Sequence, residues 1–147
     1  MTSPPPSQEG AAARVWSALQ EFVEGHHPRK ELQEILGLGR GLGRVKTLLL
    51  LVSGPATLRD IAEFLSVDAP YATVIVNKLE VVGFVERTAH PDDDRRKLVQ
   101  LTAAGKEAAR LAQRVYARPP HSLSSLAPDE MAQLEALLAK LTAKARD

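Results

Sequence analysis

The stretch HPDDDRRKLVQLT, residues 90–102, places three carboxylates directly before three cations. Consecutive aspartates at 92–94 suggest three kinds of chemistry: a divalent-metal site, a general acid and base, or a turn that touches an anionic partner. Magnesium is usually held by one or two carboxylates together with substrate phosphates, and three adjacent cations oppose a metal. We therefore favour the tip of a hairpin that contacts an anion, with a merely solvated charged turn as the alternative.

Composition excludes several classes of protein. The chain has 147 residues, enough for one domain with a core, and it contains no cysteine. It therefore has no disulfides, no thiolate chemistry and no Cys-ligated zinc, which fits a reducing cytoplasm. We find no Ser/His/Asp set and no convincing metal set, so we expect neither an enzyme nor a metal or other cofactor. No apolar run approaches the roughly 18 residues of a membrane span.

The N-terminal residues MTSPPPSQEG predict a disordered tail over residues 1–10. They lack the apolar segment of a secretory signal, and their Pro and Ser content favours disorder. We expect the remainder, residues 11–147, to form a single domain.

Two short helices with a tight turn between them are predicted over residues 57–82. Thr57 is positioned to cap the first helix, with Asp60 three residues later as in a capping box. Asp68 is positioned to cap the second helix, Pro70 falls in its first turn, and Gly83 ends it. The pattern is typical of a helix-turn-helix.

A two-stranded hairpin is predicted directly after this pair. FVERT and KLVQL have the composition of strands, and AHPDDDRR between them reads as a polar turn that contains proline. A helix-turn-helix followed by a hairpin is a winged helix. The predicted fold is therefore mainly α with a small β-hairpin wing, and the winged lobe spans residues 42–102.

The regions flanking this lobe, residues 11–39 and 103–147, are predicted to hold terminal helices with apolar faces. The N-terminal set comprises Val15, Trp16, Leu19 and Phe22. The C-terminal set steps by 3, 4 and 3 residues, a seam of coiled-coil type, and comprises Met131, Leu134, Leu138 and Leu141. Such a seam packs against another helix, either on a second copy of the chain or on its own domain.

Two other features suggest chemistry but have simpler explanations. The repeat GLGRGLGR at residues 37–44 resembles a phosphate loop, yet its glycine spacing is wrong and no strand precedes it, so we interpret it as a loop that enters a helix. His26 and His27 are adjacent and would diverge on a regular helix, so solvent-facing loop histidines are favoured over a metal site.

The region from about Leu42 to Arg110 resembles the MarR (multiple antibiotic resistance regulator) family of transcription factors. The specific match is the D-x-R pair Asp93 and Arg95, followed by Leu101–Thr102. Further matches are Leu79, Gly83, Val85, Arg87 and Gly105.

The resemblance assigns roles in DNA binding to the wing. It implies that Asp93 braces Arg95 and that Arg95 enters the minor groove, whose negative potential attracts arginine where the groove is narrow. Arg96 and Lys97 would then meet phosphates. Thr57 and Arg59 begin the first helix of the pair, and helix N-termini offer backbone N–H groups to phosphates.

The second helix of the pair is the expected reader of base edges. Its buried face is predicted to hold Ala72, Ile75, Val76 and Leu79. The outward, DNA-contacting face would comprise Pro70, Tyr71, Thr73, Val74, Asn77 and Lys78, and the family match adds Arg87. Asparagine can bond adenine edges. Ala69 and Val74 stand where relatives carry Arg, which disfavours guanine readout and favours an A·T-rich operator.

The resemblance thus implies a cytoplasmic homodimer that binds a palindromic operator on double-stranded DNA, acts as a repressor and is released by a small aromatic or phenolic ligand. Trp16, Phe22 and Tyr116 could line a ligand pocket, although core packing is an alternative for each. A different hypothesis is a winged-helix protein–protein adaptor with weak or no DNA binding. It is favoured by the apolar second helix and by residues 57–102, whose six cations and eight anions sum to −2.

Overall fold

A computed structural model describes residues 6–39 and 41–145. The protein is mainly helical with one three-stranded antiparallel sheet, as predicted. Its contacts divide the chain into two compact units, residues 1–117 and 118–147. None of the helices in the described part of the chain is long and apolar enough to cross a bilayer.

The first unit begins with helices α1 (Pro6–Gly25) and α2 (Arg29–Leu36). The predicted tail over residues 1–10 is therefore wrong for residues 6–10, which extend α1, and residues 1–5 lie outside the described residues. Helix α2 was not predicted, because Pro28 and the glycines that follow suggested a break. Pro28 instead lies just before the helix, and Leu32 and Leu36, four residues apart, are buried.

The glycine repeat turns the backbone between α2 and α3 (Gly43–Leu51). Gly37, Gly39 and Gly41 have φ angles of 62°, 69° and 93°, a left-handed conformation that a side chain would strain. This turn delivers Leu38 to the core at 3% exposure. The interpretation as a loop that enters a helix is confirmed.

The helix-turn-helix consists of α4 (Leu58–Leu65) and α5 (Ala69–Val81), as predicted. Thr57 and Asp60 form the capping box: the Asp60 N–H donates to Thr57 Oγ1 at 3.1 Å, and the Thr57 N–H donates to Asp60 Oδ2 at 3.0 Å. The Asp68 side chain accepts from the Tyr71 N–H at 2.8 Å. Both helices therefore begin at caps that the sequence specifies locally.

The wing is formed by β2 (Val85–His90) and β3 (Asp93–Leu101), with residues 91 and 92 at the turn. The predicted eight-residue polar turn is wrong, because backbone pairing continues through exposed polar positions, from Val85 opposite Leu101 to His90 opposite Asp93. A third strand, β1 (Ala56–Thr57), pairs antiparallel with β3 and was not predicted. The strand order is β1-β3-β2.

Helix α6 (Ala103–Ala117) closes the first unit and packs against α3. Thr102 caps it: its Oγ1 accepts from the Gly105 N–H at 3.0 Å and donates to the Gly83 carbonyl. Gly105 passes so close to Phe84, the residue before β2, that a Cβ would lie 1.8 Å from the Phe84 carbonyl oxygen. The largest fully buried side chains are Leu32, Val45, Thr47, Leu48, Ile61, Val76, Leu79 and Val99.

The second unit contains a short 3-10 helix (His121–Ser125) and α7 (Pro128–Lys144). The Glu130 carboxylate accepts from the Ala127 N–H at 2.8 Å and so stabilises the start of α7. No residue of α7 is buried. Its apolar stripe includes Leu137 and Leu141, which are 60% and 58% exposed.

Candidate nucleic-acid interface

Helix α5 separates its side chains into the two faces that the sequence predicts. Ala72, Ile75, Val76 and Leu79 are buried. The opposite face carries Tyr71 at 54% and Val74 at 45% exposure. Pro70, Asn77 and Lys78 are also exposed, and Thr73 is half-buried. The predicted DNA-contacting set on this helix therefore forms one accessible surface.

The polar groups on this surface are not equally free to bind a partner. The Thr73 hydroxyl donates to the Ala69 carbonyl at 3.0 Å, within its own helix. Its methyl group remains as the part of the side chain that suits a thymine methyl.

Arg87 lies on β2 and directs its guanidinium toward α5. Its Nη1 donates to Glu80 Oε1 at 2.9 Å, and its Nη2 donates to Asn77 Oδ1 at 2.6 Å. The Arg87 side chain is 24% exposed. The sequence placed Arg87 among the DNA contacts, but the structure shows it engaged with two residues of α5.

The wing carries the D-x-R pair on β3. The backbone N–H of Arg95 donates to Asp93 Oδ1 at 3.0 Å, so Asp93 holds the backbone beside the turn. No ion pair between the Asp93 carboxylate and the Arg95 guanidinium is found among the described residues. The expected brace therefore acts on the main chain. Residues 91–97 are all exposed.

The third strand brings the wing next to the start of α4. Because Thr57 pairs with Leu98, the first turn of α4 lies beside the cations of β3. A cleft of about 700 Å³ separates the two, lined by Thr57, Leu58, Arg59, Asp60, Glu63, His90, Arg95, Arg96 and Lys97. Four cations and two carboxylates face it. This cleft was not predicted, because a strand of two residues such as β1 shows no side-chain periodicity in the sequence.

The four cations that line the cleft outnumber its two carboxylates, so the cleft favours an anionic partner. The two hydrogen bonds from Thr57 lower the pKa of the Asp60 carboxyl, and Arg59 and Arg96 lower it further. Arg59 pairs with Glu63 at 3.3 Å, with both side chains well exposed, so this pair holds Arg59 only weakly. The cleft thus brings together Arg59, Arg95, Arg96 and Lys97, four of the predicted DNA-contacting cations.

The predicted dimer helices expose apolar side chains, each within its own unit. On α1, Val15 is 57%, Trp16 63% and Phe22 37% exposed, and Leu19 is half-buried. On α7, Met131 and Leu134 are half-buried, while Leu138 and Leu141 are 42% and 58% exposed. The role of these residues in dimer formation stays a prediction.

Tyr116 lies in a different environment from the other two residues suggested for a ligand pocket. Its ring meets His27 edge-on, with centroids 5.5 Å apart, and burial raises the pKa of its hydroxyl. Trp16 and Phe22 are exposed on α1. The described contacts do not bring these three aromatic residues together around one cavity.

The carboxylates and histidines do not cluster in the described part of the chain. No group of at least three His, Asp or Glu side chains there is placed to hold a metal ion. Among the adjacent histidines, His26 Nδ1 is 2.7 Å from the Phe22 carbonyl oxygen, while His27 contacts Tyr116.

Comparison with known proteins places this surface in context. Residues 48–97 match the model of the MarR family. The HTH-type transcriptional regulator BilQ of Clostridium symbiosum is 32% identical over 105 residues, which cover 70% of this chain and 73% of that protein. Three other curated relatives are 31–36% identical, but the chain spans 60–64% of their length. They are two uncharacterised Bacillus subtilis regulators and the multiple antibiotic resistance protein MarR of Salmonella typhimurium.

Solved structures share the fold over nearly the whole chain. The reduced form of Escherichia coli MarR superimposes with a TM-score of 0.68 at 25% identity, covering 96% of this chain and 98% of that one. A mutant of Staphylococcus aureus MepR bound to an oligodeoxyribonucleotide superimposes with a TM-score of 0.62 at 24% identity, covering 88% and 97%. The predicted winged-helix fold is confirmed.

Proposed function

The chain belongs to the MarR family, and from this premise we propose that it is a homodimeric transcription regulator that binds double-stranded DNA through α5 and the wing. The prediction that it is not an enzyme is confirmed by the membership, since the family consists of transcription regulators. DNA binding is proposed for this chain on its own surface.

The observation that carries the proposal is the exposed face of α5 on the same lobe as the cation-lined cleft. A helix of this size fits the major groove, where base edges are read. Arg95 and its neighbours in β3 would contact the DNA beside it, with Arg95 in the minor groove and Arg96 and Lys97 at phosphates. The Arg59 end of α4 supplies a further phosphate contact.

The proposed dimer is supported by the apolar faces of α1 and α7. Soluble monomers rarely leave large contiguous apolar patches uncovered. Trp16 at 63% and Leu141 at 58% exposure are side chains that a partner helix would cover. A two-fold dimer would also present two copies of α5, which is the geometry that reads a palindromic operator.

The finer features of the proposal follow from the family resemblance. We propose that the protein is a repressor of an A·T-rich operator and that a small aromatic or phenolic ligand releases it. The protein would act where the DNA lies, in the cytoplasm. The absence of Arg at positions 69 and 74 supports the A·T preference, because no bidentate Arg–guanine contact can come from either position.

The test is selection of bound sequences from random DNA, followed by affinity measurements across a salt series. Each phosphate contact contributes about 0.9 to the slope of log affinity against log salt. Replacing Arg95, Arg96 and Lys97 together with alanine should flatten the slope markedly. Replacing Arg110 and Arg114 on α6 should leave it nearly unchanged. Repeating the binding with a panel of aromatic acids and phenols tests release.

The adaptor hypothesis is favoured by one observation, the exposure of Tyr71 and Val74 at the centre of the α5 surface. Apolar aromatic and aliphatic side chains at the centre of a patch are typical anchors of protein–protein contacts. Wild-type protein that shows no salt-dependent DNA binding would support this function and contradict the first.

A further inference from the structure

The Arg87 guanidinium holds the amide of Asn77 on the exposed face of α5. The donation from Nη2 to Asn77 Oδ1, at 2.6 Å, is short for a nitrogen donor, as charge-assisted hydrogen bonds are. The second donation, to Glu80 Oε1 at 2.9 Å, fixes the guanidinium between two residues of one helix. Arg87 is therefore tethered at two points by side chains one turn apart.

This contact determines which end of the Asn77 amide is available. An asparagine side chain has one carbonyl acceptor and one NH₂ donor group on opposite sides of Cγ. The oxygen is bound by Arg87. Turning the amide over would place its NH₂ group against a guanidinium, donor against donor, so the reverse orientation is disfavoured. The NH₂ group is left as the end that can bond a partner.

We infer that Arg87 is a positioning residue that makes Asn77 a fixed hydrogen-bond donor at the DNA surface, an inference that rests on the proposed function. In the major groove, guanine offers two acceptors, thymine offers O4, and cytosine offers only its N4 donor. Asn77 should therefore bind guanine or thymine at its position in preference to cytosine.

The contact of Asn77 with adenine should be weaker than that of a free asparagine. A bidentate asparagine–adenine contact needs the side-chain oxygen to accept from adenine N6 while the NH₂ group donates to N7. Because Arg87 binds that oxygen, the pair is weakened, and adenine loses its usual advantage at this position. The prediction from sequence that Asn77 bonds adenine edges did not take its contact with Arg87 into account.

Glu80 offsets the positive charge that Arg87 brings to the exposed face of α5. Its carboxylate forms an ion pair with Arg87, so the cation that holds Asn77 is largely neutralised beside the helix. Lys78 is the adjacent cation with its side chain on the exposed face. Loss of Arg87 should therefore change base preference more than it changes salt dependence.

The experiment compares selected DNA sequences for wild type, Arg87→Met and Arg110→Met. Wild type should discriminate against cytosine at one position per half-site by roughly 2- to 10-fold, the value of one hydrogen bond. Arg87→Met frees the amide to turn, so adenine should become the preferred base there. Arg110→Met removes the same charge from an ion pair with Glu107 on α6 and should leave the preference unchanged.

A second variant keeps the test decisive if Arg87→Met does not fold. Asn77→Asp leaves an acceptor for Arg87 but replaces the outward donor with an oxygen, so the same position should change its preference to cytosine, whose N4 donates. Asn77→Ala should remove discrimination at that position altogether.

A readout in the free protein separates the two proposals. The side-chain amide resonance of Asn77 should shift clearly in Arg87→Met and remain in place in Arg110→Met. If wild type binds selectively while Arg87→Met retains the same base preference, the inference is overturned and the proposed function stands. If wild type shows no salt-dependent DNA binding, the proposed function and the base preference inferred for Asn77 both fail, even if the Asn77 resonance shifts as expected.

Discussion

The winged lobe and the two terminal helices dispose of their apolar side chains in opposite ways. The buried leucines, valines and isoleucines of the described residues all lie between Leu32 and Val115, with Leu48 and Ile61 at 0% exposure, although Val74 and Val81 in this region are exposed. On α1 and α7 residues of the same types face outward, with Val15 at 57% and Leu137 at 60%. The lobe stabilises itself, whereas the terminal helices are apolar without being buried by the chain that carries them.

The exposed apolar faces of the terminal helices are where self-association would add to the stability of the protein. A fully buried leucine contributes about 1.5–3 kcal/mol relative to an exposed one. The lobe gains this within a single chain, and its stability should not depend on protein concentration. The terminal helices can gain it only from a partner surface, so their contribution should follow mass action.

The largest effect is expected from charge on the α7 stripe. Leu134→Glu with Leu138→Glu should raise the dimer dissociation constant at least 100-fold or unfold the protein, because it places four carboxylates in one interface. Sedimentation at tens of micromolar would measure the loss. The matched control, Ala132→Glu with Ala136→Glu, has the same spacing on the opposite face and should stay dimeric. Wild type that sediments as a 16.0 kDa species would contradict the proposal that a second copy covers the terminal helices.

Truncation of single leucines should separate the two regions by their concentration dependence. Leu48→Ala removes a fully buried side chain and should cost about 2–5 kcal/mol of unfolding free energy. Leu138→Ala should cost less. Thermal unfolding at several protein concentrations would show a shift with concentration that shrinks for Leu138→Ala and persists for Leu48→Ala. Equal concentration dependence in both variants would contradict this assignment.

Substitutions in the wing should affect DNA binding without affecting either region's stability. Arg95→Ala should weaken operator binding by about 1–3 kcal/mol, more than Lys97→Ala, because Arg95 is the residue held for the minor groove. Asp93→Ala should have a smaller effect in the same direction, since it releases only the Arg95 backbone. Binding isotherms on a selected operator would rank the three. Arg95→Ala that binds as tightly as wild type would exclude a wing in the minor groove.

The smallest effect is expected at the joint between α1 and α2, where His27 meets Tyr116. Burial, then the Arg29 guanidinium, lower the pKa of His27 from its ordinary value of 6.5, while Glu24 opposes this and Lys46 adds to it. No hydrogen-bond partner for its buried Nδ1 is found among the described residues. The folded state thus binds a proton less readily than the unfolded chain.

The stability contributed by neutral His27 is therefore fully present above pH 6.5 and is lost as the pH falls below that value toward the folded-state pKa. His27→Gln should flatten the fall in urea midpoint over this range. His121→Gln, in the 3-10 helix, serves as the control and should follow wild type. A His27→Gln profile parallel to that of wild type would show that this imidazole does not couple to folding.

Much of the fold was predictable because its signals are local. The caps of α4 and α5 involve residues three positions apart, and the buried stripe of α5 repeats with the helical period. The wing was predicted but its strands were predicted too short, since Ala89, His90 and residues 93–96 lie in the strands although their side chains show no alternating apolar pattern. Helix α2 was not predicted because a proline such as Pro28 can mark the start of a helix as well as a break in one.

The caps and the buried face of α5 could be predicted from the sequence, because each depends on residues within one or two helical turns, and the order of the predicted elements indicated the winged-helix class. Which polar groups remain available to a partner depends on contacts that form only in the folded structure. Arg87 reaches back ten residues to Asn77, and Thr57 meets Leu98 across β1 and β3. These contacts join residues on different elements, so the hydrogen bonds that occupy polar groups and the shape of the cation-lined cleft are set only when those elements pack together.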